Sequence, residues 1–120
     1  MTTEKIFAQD HASVMQTYGR FPVAITSGKG AKLYSPEGKE YIDFASGIGV
    51  LSIGTAHPKF VAAVAEQAGK LAHVSNLFYT EPGTRLAKRL CEKSGMDKVF
   101  FSNSGAESNE GAIKLARKYS

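Results

Sequence analysis

At 120 residues, 42% hydrophobic and 22% charged, the chain matches one ordinary domain, too apolar for wholesale disorder and long enough for a core without disulfides or metal. Fifteen Lys+Arg against eleven Asp+Glu leave a formal charge of +4, but the basic residues are scattered, which disfavours a nucleic-acid surface. The only cysteine, Cys91, reads as a buried core residue in a reducing compartment; with no leader pattern and no membrane-length apolar run, a cytoplasmic protein without membrane contact is the expectation.

Taken in order, residues through about Tyr18 read as a loose helix that docks on something else. From Phe21 the texture changes to short extended runs broken by turn residues. Val23–Thr26 and Ala31–Tyr34 read as two strands of a hairpin around the loop Ser27-Gly28-Lys29-Gly30. A second turn, Ser35-Pro36-Glu37-Gly38-Lys39, leads to Glu40–Phe44, completing a three-stranded antiparallel meander. Ala45–Thr55 carries Gly47, Gly49 and Gly54 among Ile48, Val50, Leu51 and Ile53, too glycine-rich for a helix and too apolar for a solvated linker. It reads as a buried loop, or as one that brings backbone close to a ligand or a partner subunit.

Pro58 suits the first turn of a helix in which Val61, Val64, Ala65, Ala68 and Ala72 recur at helical spacing, with Gly69 a weak point near its end. Thr80 is an N-cap for a second helix through Pro82, with Leu86, Ala87, Leu90 and Cys91 on one face, a basic face largely off it, and Gly95 as its end. Val99-Phe100-Phe101 reads as a short strand of the kind a parallel sheet buries on both faces. A last helix follows, with Ala112, Leu115, Ala116 and Tyr119 as the side that packs on a sheet, and with Ser104 and Glu107 at capping-box spacing.

The junction Ser102-Asn103-Ser104-Gly105-Ala106-Glu107 is the most informative stretch. Small residues at a helix start let several backbone N–H groups point at one anion, with the helix dipole in support. Gly105 lacks the companion glycines of a dinucleotide fingerprint and the Lys-Ser/Thr of a P-loop, so the ligand suggested is a single phosphate group on a cofactor or sugar. His11, His57 and His73 show no metal-ligand spacing, and His57 before Pro58 fits a helix start; no metal is expected. Glu107 and Glu110 fit capping and solvation better than acid–base work.

These residues together resemble the class III pyridoxal-phosphate-dependent aminotransferases, and within them the acetylornithine/ornithine aminotransferases. The resemblance runs through Tyr18-Gly19-Arg20-Phe21-Pro22-Val23, Gly38-Lys39-Glu40-Tyr41-Ile42-Asp43-Phe44, Ala45-Ser46-Gly47-Ile48-Gly49-Val50, Gly54 with Ala56-His57-Pro58, Ser75-Asn76-Leu77-Phe78-Tyr79, and Asn103-Ser104-Gly105-Ala106-Glu107 with Asn109-Glu110. One departure is Thr55, where the family often writes the first histidine of Gly-His-x-His-Pro.

The resemblance implies an α/β chain, the N-terminal part of a pyridoxal-phosphate-dependent transferase of fold type I. It places the small N-terminal segment with its meander at 1–56 and the start of the large cofactor domain at 57–120. It implies that Ser104, Gly105 and Ala106 hold the phosphate of pyridoxal 5'-phosphate, and that Tyr18 and Ile48 line the substrate pocket. The implied reaction moves an amino group from N-acetylornithine or a related ω-amino donor to 2-oxoglutarate, in arginine biosynthesis, in a homodimer with active sites at the subunit interface. Acetylornithine, ornithine, succinylornithine and 4-aminobutyrate enzymes share this framework. The Schiff-base lysine, the acidic partner of the pyridine nitrogen and the carboxylate-binding arginine belong to later segments of the family. The chain by itself is therefore expected to be inactive, with a noncatalytic phosphate-binding or assembly module as the alternative.

Overall fold

The computed structural model describes residues 1–120, which divide into two compact units, Met1–Ala72 and His73–Ser120. The first begins with helix α1, Thr3–Ser13, whose N-cap Thr2 accepts a hydrogen bond from the Lys5 N–H at 3.4 Å. The helix ends well before Tyr18, because Val14 takes an extended backbone, with φ −113° and ψ 131°. A carboxylate from elsewhere completes its first turn: the Thr3 N–H and hydroxyl donate to the two oxygens of Glu37, each at 2.8 Å.

A three-stranded antiparallel sheet follows, in the order β1 (Ser27–Lys29), β2 (Lys32–Tyr34), β3 (Glu40–Ile42). The meander forms as expected, but its first turn is displaced. Ser27, Gly28 and Lys29 pair with Tyr34, Leu33 and Lys32, so three of the four residues expected in the loop are strand. The loop shrinks to Gly30-Ala31, with Gly30 at φ 61° in the first central position, the requirement of a tight turn that matches strand twist. Val23–Thr26 precedes the ladder rather than forming it, although the Thr26 N–H still donates to the Tyr34 carbonyl at 2.9 Å. Gly28 is fixed by space: a Cβ there would lie 2.7 Å from Leu33 Cδ2, 2.8 Å from Thr55 Cγ2 and 2.9 Å from the Lys32 carbonyl.

The turn between β2 and β3 is organised by Ser35, whose hydroxyl accepts from the Glu37 and Lys39 N–H groups at 3.2 and 3.3 Å, while Gly38 takes φ 82°. After β3, residues 45–54 make a loop closed at both ends. Asp43 Oδ1 accepts from the Ala45 and Ser46 N–H groups at 3.0 and 2.8 Å. At the far end Thr55 and Gly30 exchange two backbone hydrogen bonds of 2.8 and 2.9 Å. The loop is not buried, as one reading of the sequence had it: Ile48 and Val50 are 97% and 81% exposed. Helix α2, Pro58–Lys70, then ends one residue past Gly69 and short of the expected Ala72, because Leu71 takes an extended backbone at φ −164° and ψ 113°; His57 is its N-cap residue, with no side-chain cap.

In the second unit α3 spans Glu81–Ser94 between Thr80 and the left-handed cap Gly95, at φ 73°, and α4 spans Gly105–Tyr119. Val99–Phe101 does not form a strand. A β-conformation is stabilised by a ladder, and the only sheet here is the meander, whose three strands lie at 27–42; nothing pairs with this segment.

The expected core is also missing. Only Ala24 and Ser35 are buried, and Cys91 is half-buried rather than inside. Leu115 and Tyr119, on the face of α4 expected to pack on a sheet, are 71% and 94% exposed. The accessible surface is 10859 Å², where a folded monomer of 12.9 kDa would expose about 6,300 Å².

Candidate functional site

The start of α4 has the local chemistry the sequence suggested. Ser104 is the N-cap, with extended backbone at φ −154° and ψ 162°, and its hydroxyl accepts from the Glu107 N–H at 3.2 Å. Only half of the capping box closes. The Glu107 carboxylate accepts from the N–H of Asn103, at 2.6 Å, instead of that of Ser104. The backbone N–H groups of Ser104, Gly105 and Ala106 consequently have no acceptor within the chain, and all three residues are exposed. Three free donors at the positive end of a 15-residue helix make a seat for one anion.

Its surroundings fit a phosphate group. An added Cβ at Gly105 would meet nothing within 4 Å, so an anion can approach the backbone closely. The hydroxyls of Ser102 and Ser108 are 2.6 Å apart, and Ser108 Oγ also donates to the Ser104 carbonyl at 3.1 Å, which ties the segment before the helix to its first turn. Glu107 places a negative charge nearby, against an anion; its hydrogen bond to Asn103 occupies one carboxylate oxygen. Gly111 lets the ring of Phe100 lie against α4, because a Cβ there would stand 2.9 Å from Phe100 Cε1.

The first unit holds the other two residues singled out from the sequence, and it holds them apart. Tyr18 lines a cavity of about 310 Å³ together with Ile6, Phe7, Asp10, His11 and Arg20 among others; Ile48 is not in its lining. Ile48 instead stands on a left-handed turn, in which Ser46, Gly47, Ile48 and Gly49 take φ of 48°, 60°, 60° and 85°. The Ala45 carbonyl closes that turn, accepting from the N–H groups of Ile48 at 2.8 Å and Gly49 at 3.2 Å. A β-branched residue in this region is strained by about 1–2 kcal/mol. The strain is held by the two closures of the loop, the Asp43 carboxylate and the Thr55–Gly30 bridge, and its effect is to present an apolar side chain outward.

Sequence reading missed several groups that build these features. Asp43 precedes Ala45 by two residues, the spacing of an Asx turn, so its role was available as a signal. Glu37 and Asp10 act across 34 and 10 residues on Thr3 and Arg20, and nothing periodic marks such pairs. Thr55 is a further one: its hydroxyl is buried without a hydrogen-bond partner, while its methyl covers Gly28.

Comparison with known proteins gives these features a common setting. The profile of the family described as "Aminotransferase class-III" matches residues 13–120. The acetylornithine aminotransferase of Haemophilus ducreyi is 53% identical over 120 residues, which is 100% of this chain and 30% of that protein. The crystal structure of acetylornithine aminotransferase from Elizabethkingia anophelis superposes with a TM-score of 0.93 at 37% identity, over 99% of this chain and 31% of that one. A structure of the ornithine aminotransferase of Toxoplasma gondii, described as showing partial occupancy of pyridoxal phosphate at its active site, superposes with a TM-score of 0.91 at 39% identity, covering 98% and 28%. The chain thus spans about 30% of the length of the relatives it matches, and its three-stranded sheet and four helices match their N-terminal portion. The matches in sequence and in fold cover nearly the whole chain, and the chain belongs to the class III aminotransferase family.

Proposed function

We propose that these residues are the N-terminal portion of a pyridoxal-phosphate-dependent transaminase that moves an amino group from N-acetylornithine to 2-oxoglutarate. The observation that carries the reading is the row of three unpartnered N–H groups at Ser104, Gly105 and Ala106, in a chain of this family. In this reading they hold the cofactor phosphate, residues 1–56 form the small N-terminal segment, and residues 57–120 open the large domain. The bound cofactor supplies the electron sink that makes amino-group transfer possible.

The chain's own residues contribute binding and orientation. The N–H groups at 104–106 fix one end of the cofactor by its charge, without a lysine or arginine whose flexible side chain would have to be ordered. Tyr18 offers a hydroxyl and an aromatic face to the substrate, and Ile48, held outward by the left-handed turn, offers an apolar wall that excludes water. Val99–Phe101 becomes a strand once further chain supplies parallel neighbours, and the exposed apolar faces, Ile48 and Leu115 among them, are covered by the rest of the protein and by a second subunit of a homodimer.

The choice of N-acetylornithine over other ω-amino donors is supported by the named relatives at 50–60% identity. The test is to purify the full-length gene product, record its absorbance with pyridoxal phosphate, and follow glutamate formation from N-acetylornithine and 2-oxoglutarate. A yellow protein that turns over this pair, beside a 120-residue chain that does not, supports the proposal. A colourless, inactive full-length protein whose residues 1–120 nonetheless fold as a monomer and bind phosphate esters would favour the noncatalytic module.

A further inference from the structure

We infer that Asp10 is a positioning residue for Tyr18, its carboxylate gripping the two side chains that flank the tyrosine and so setting where the ring enters the pocket. The inference rests on the proposed reading of Tyr18 as a pocket residue. It concerns a residue that lies before the stretch matched by the family profile, which begins at residue 13.

Three observations lead to it. The segment from Val14 to Val23 has no ladder and no helix; its backbone hydrogen bonds back to α1 and within itself are Val14 to Asp10, Thr17 to Met15 and Val23 to Phe21. What holds the middle of this segment is side chains. Arg20 Nη1 lies 3.0 Å from Asp10 Oδ2, and Gln16 Nε2 donates to the same oxygen at 3.1 Å as well as to the Val14 carbonyl at 2.7 Å. Residues 16 and 20 bracket Tyr18 on either side, while Tyr18 itself is 75% exposed and makes no hydrogen bond within the chain.

The grip is useful only if Asp10 is itself fixed, and it is. Asp10 sits in the last turn of α1, and the first turn of that helix is pinned to the β2–β3 turn by the two hydrogen bonds from Thr3 to Glu37. A mechanical line therefore runs from the meander through α1 to Asp10, and from Asp10 to Gln16 and Arg20. The ion pair is partly exposed, with side chains 47% and 30% accessible, so its effect is that of a modest orienting contact rather than a rigid clamp.

The experiment uses the full-length gene product, with steady-state kinetics in N-acetylornithine and 2-oxoglutarate. Asp10→Ala is expected to raise KM for the amino donor two- to fivefold, the scale of an exposed ion pair, with kcat changed less than twofold. The swap Asp10→Arg with Arg20→Asp is expected to bring KM back near its starting value, since it rebuilds the pair and places a cation at the C-terminal end of α1, where the helix dipole favours it. Tyr18→Ala is the control for the reading beneath, and its donor KM should rise by more than that of Asp10→Ala. A donor KM that is unchanged in Asp10→Ala but raised in Tyr18→Ala overturns the positioning role and leaves the pocket reading standing. A KM that stays high in the swap also overturns it, because a structural lesion at Asp10 would not be mended by reversed charges. No effect of Tyr18→Ala on donor KM overturns the pocket reading itself.

Discussion

In the meander at residues 27–42 and in the junction at 99–119 a short run leads through a turn into the next element, yet the runs of the meander pair with one another and Val99–Phe101 pairs with nothing. In the meander every strand has its neighbour within a few residues, so hairpins close the ladder locally and the turns at Gly30 and Ser35–Gly38 fix its register. At the junction the helix forms, because its hydrogen bonds are local too, but Val99–Phe101 before it forms no strand and the apolar face of α4 stays open. Antiparallel connections satisfy themselves nearby, whereas a parallel strand depends on crossovers of a dozen residues or more.

The sharpest way to break this contrast is at Gly28. Gly28→Val puts side-chain atoms against the Lys32 carbonyl and the Thr55 methyl, neither of which can move without opening the hairpin or the 30–55 bridge. We expect a loss of about 2 kcal/mol or more in the first unit, read as lost amide-exchange protection in β1 and β2, with α4 unaffected. Protection unchanged in β1 and β2 would mean the packing over Gly28 is not as described.

Next in size is Ile48→Gly, which removes a β-branched side chain from a left-handed turn. It should stabilise the loop by about 1 kcal/mol, measured as slower exchange of the Leu51 and Gly54 amides, while weakening amino-donor binding in the full-length protein. A loss in both would show that the side chain packs rather than strains.

A pH dependence marks the contact between α1 and the meander. Thr3 holds Glu37 ionised by backbone and side-chain hydrogen bonds, lowering its pKa from 4.5 to about 2. A carboxylate with a depressed folded-state value contributes above its unfolded value and loses that contribution as pH falls, here from about 4.5 down to about 2. The Thr3 amide resonance should report a titration near the lower end of that window. In Glu37→Gln the titration should vanish; an amide shift that persists would assign it to another group.

The smallest effect belongs to the second unit. Gly111→Ala gains helix propensity in α4 but must displace the Phe100 ring, which is an exposed side chain and moves cheaply. The net change should fall within about 0.5 kcal/mol by thermal melting. A large loss would mean that Phe100 and α4 are already packed as firmly as a finished core.

What the sequence made legible follows the same division. Helix ends announced themselves through Thr80, Gly95, Ser104 and Pro58, because helix termini are set by local chemistry, although the Thr80 hydroxyl, unlike that of Ser104, makes no cap hydrogen bond. The three-strand order was readable, but Ser27–Lys29 was assigned to a loop, since Gly28 looks like a turn residue until Thr55 is known to lie over it. The helix start at 104–106 was readable as a pattern of small residues. Its openness was not, because it depends on Glu107 choosing the Asn103 N–H over that of Ser104. The strand at 99–101 and the packed face of α4 were inferred from apolar periodicity alone, which states what a segment would bury but not whether a partner is present.

The central claim is that the N–H groups at the start of α4 hold the cofactor phosphate, and Gly105→Pro tests it most directly. Proline is well tolerated at the first position of a helix, and the preceding Ser104 already has the extended backbone that a following proline demands, so the change deletes one donor while sparing the helix. Measured by equilibrium dialysis on the full-length gene product, affinity for pyridoxal phosphate should fall about tenfold or more, the scale of one hydrogen bond to a charged group, with helicity by circular dichroism unchanged. Unchanged affinity in a folded Gly105→Pro protein would contradict the account.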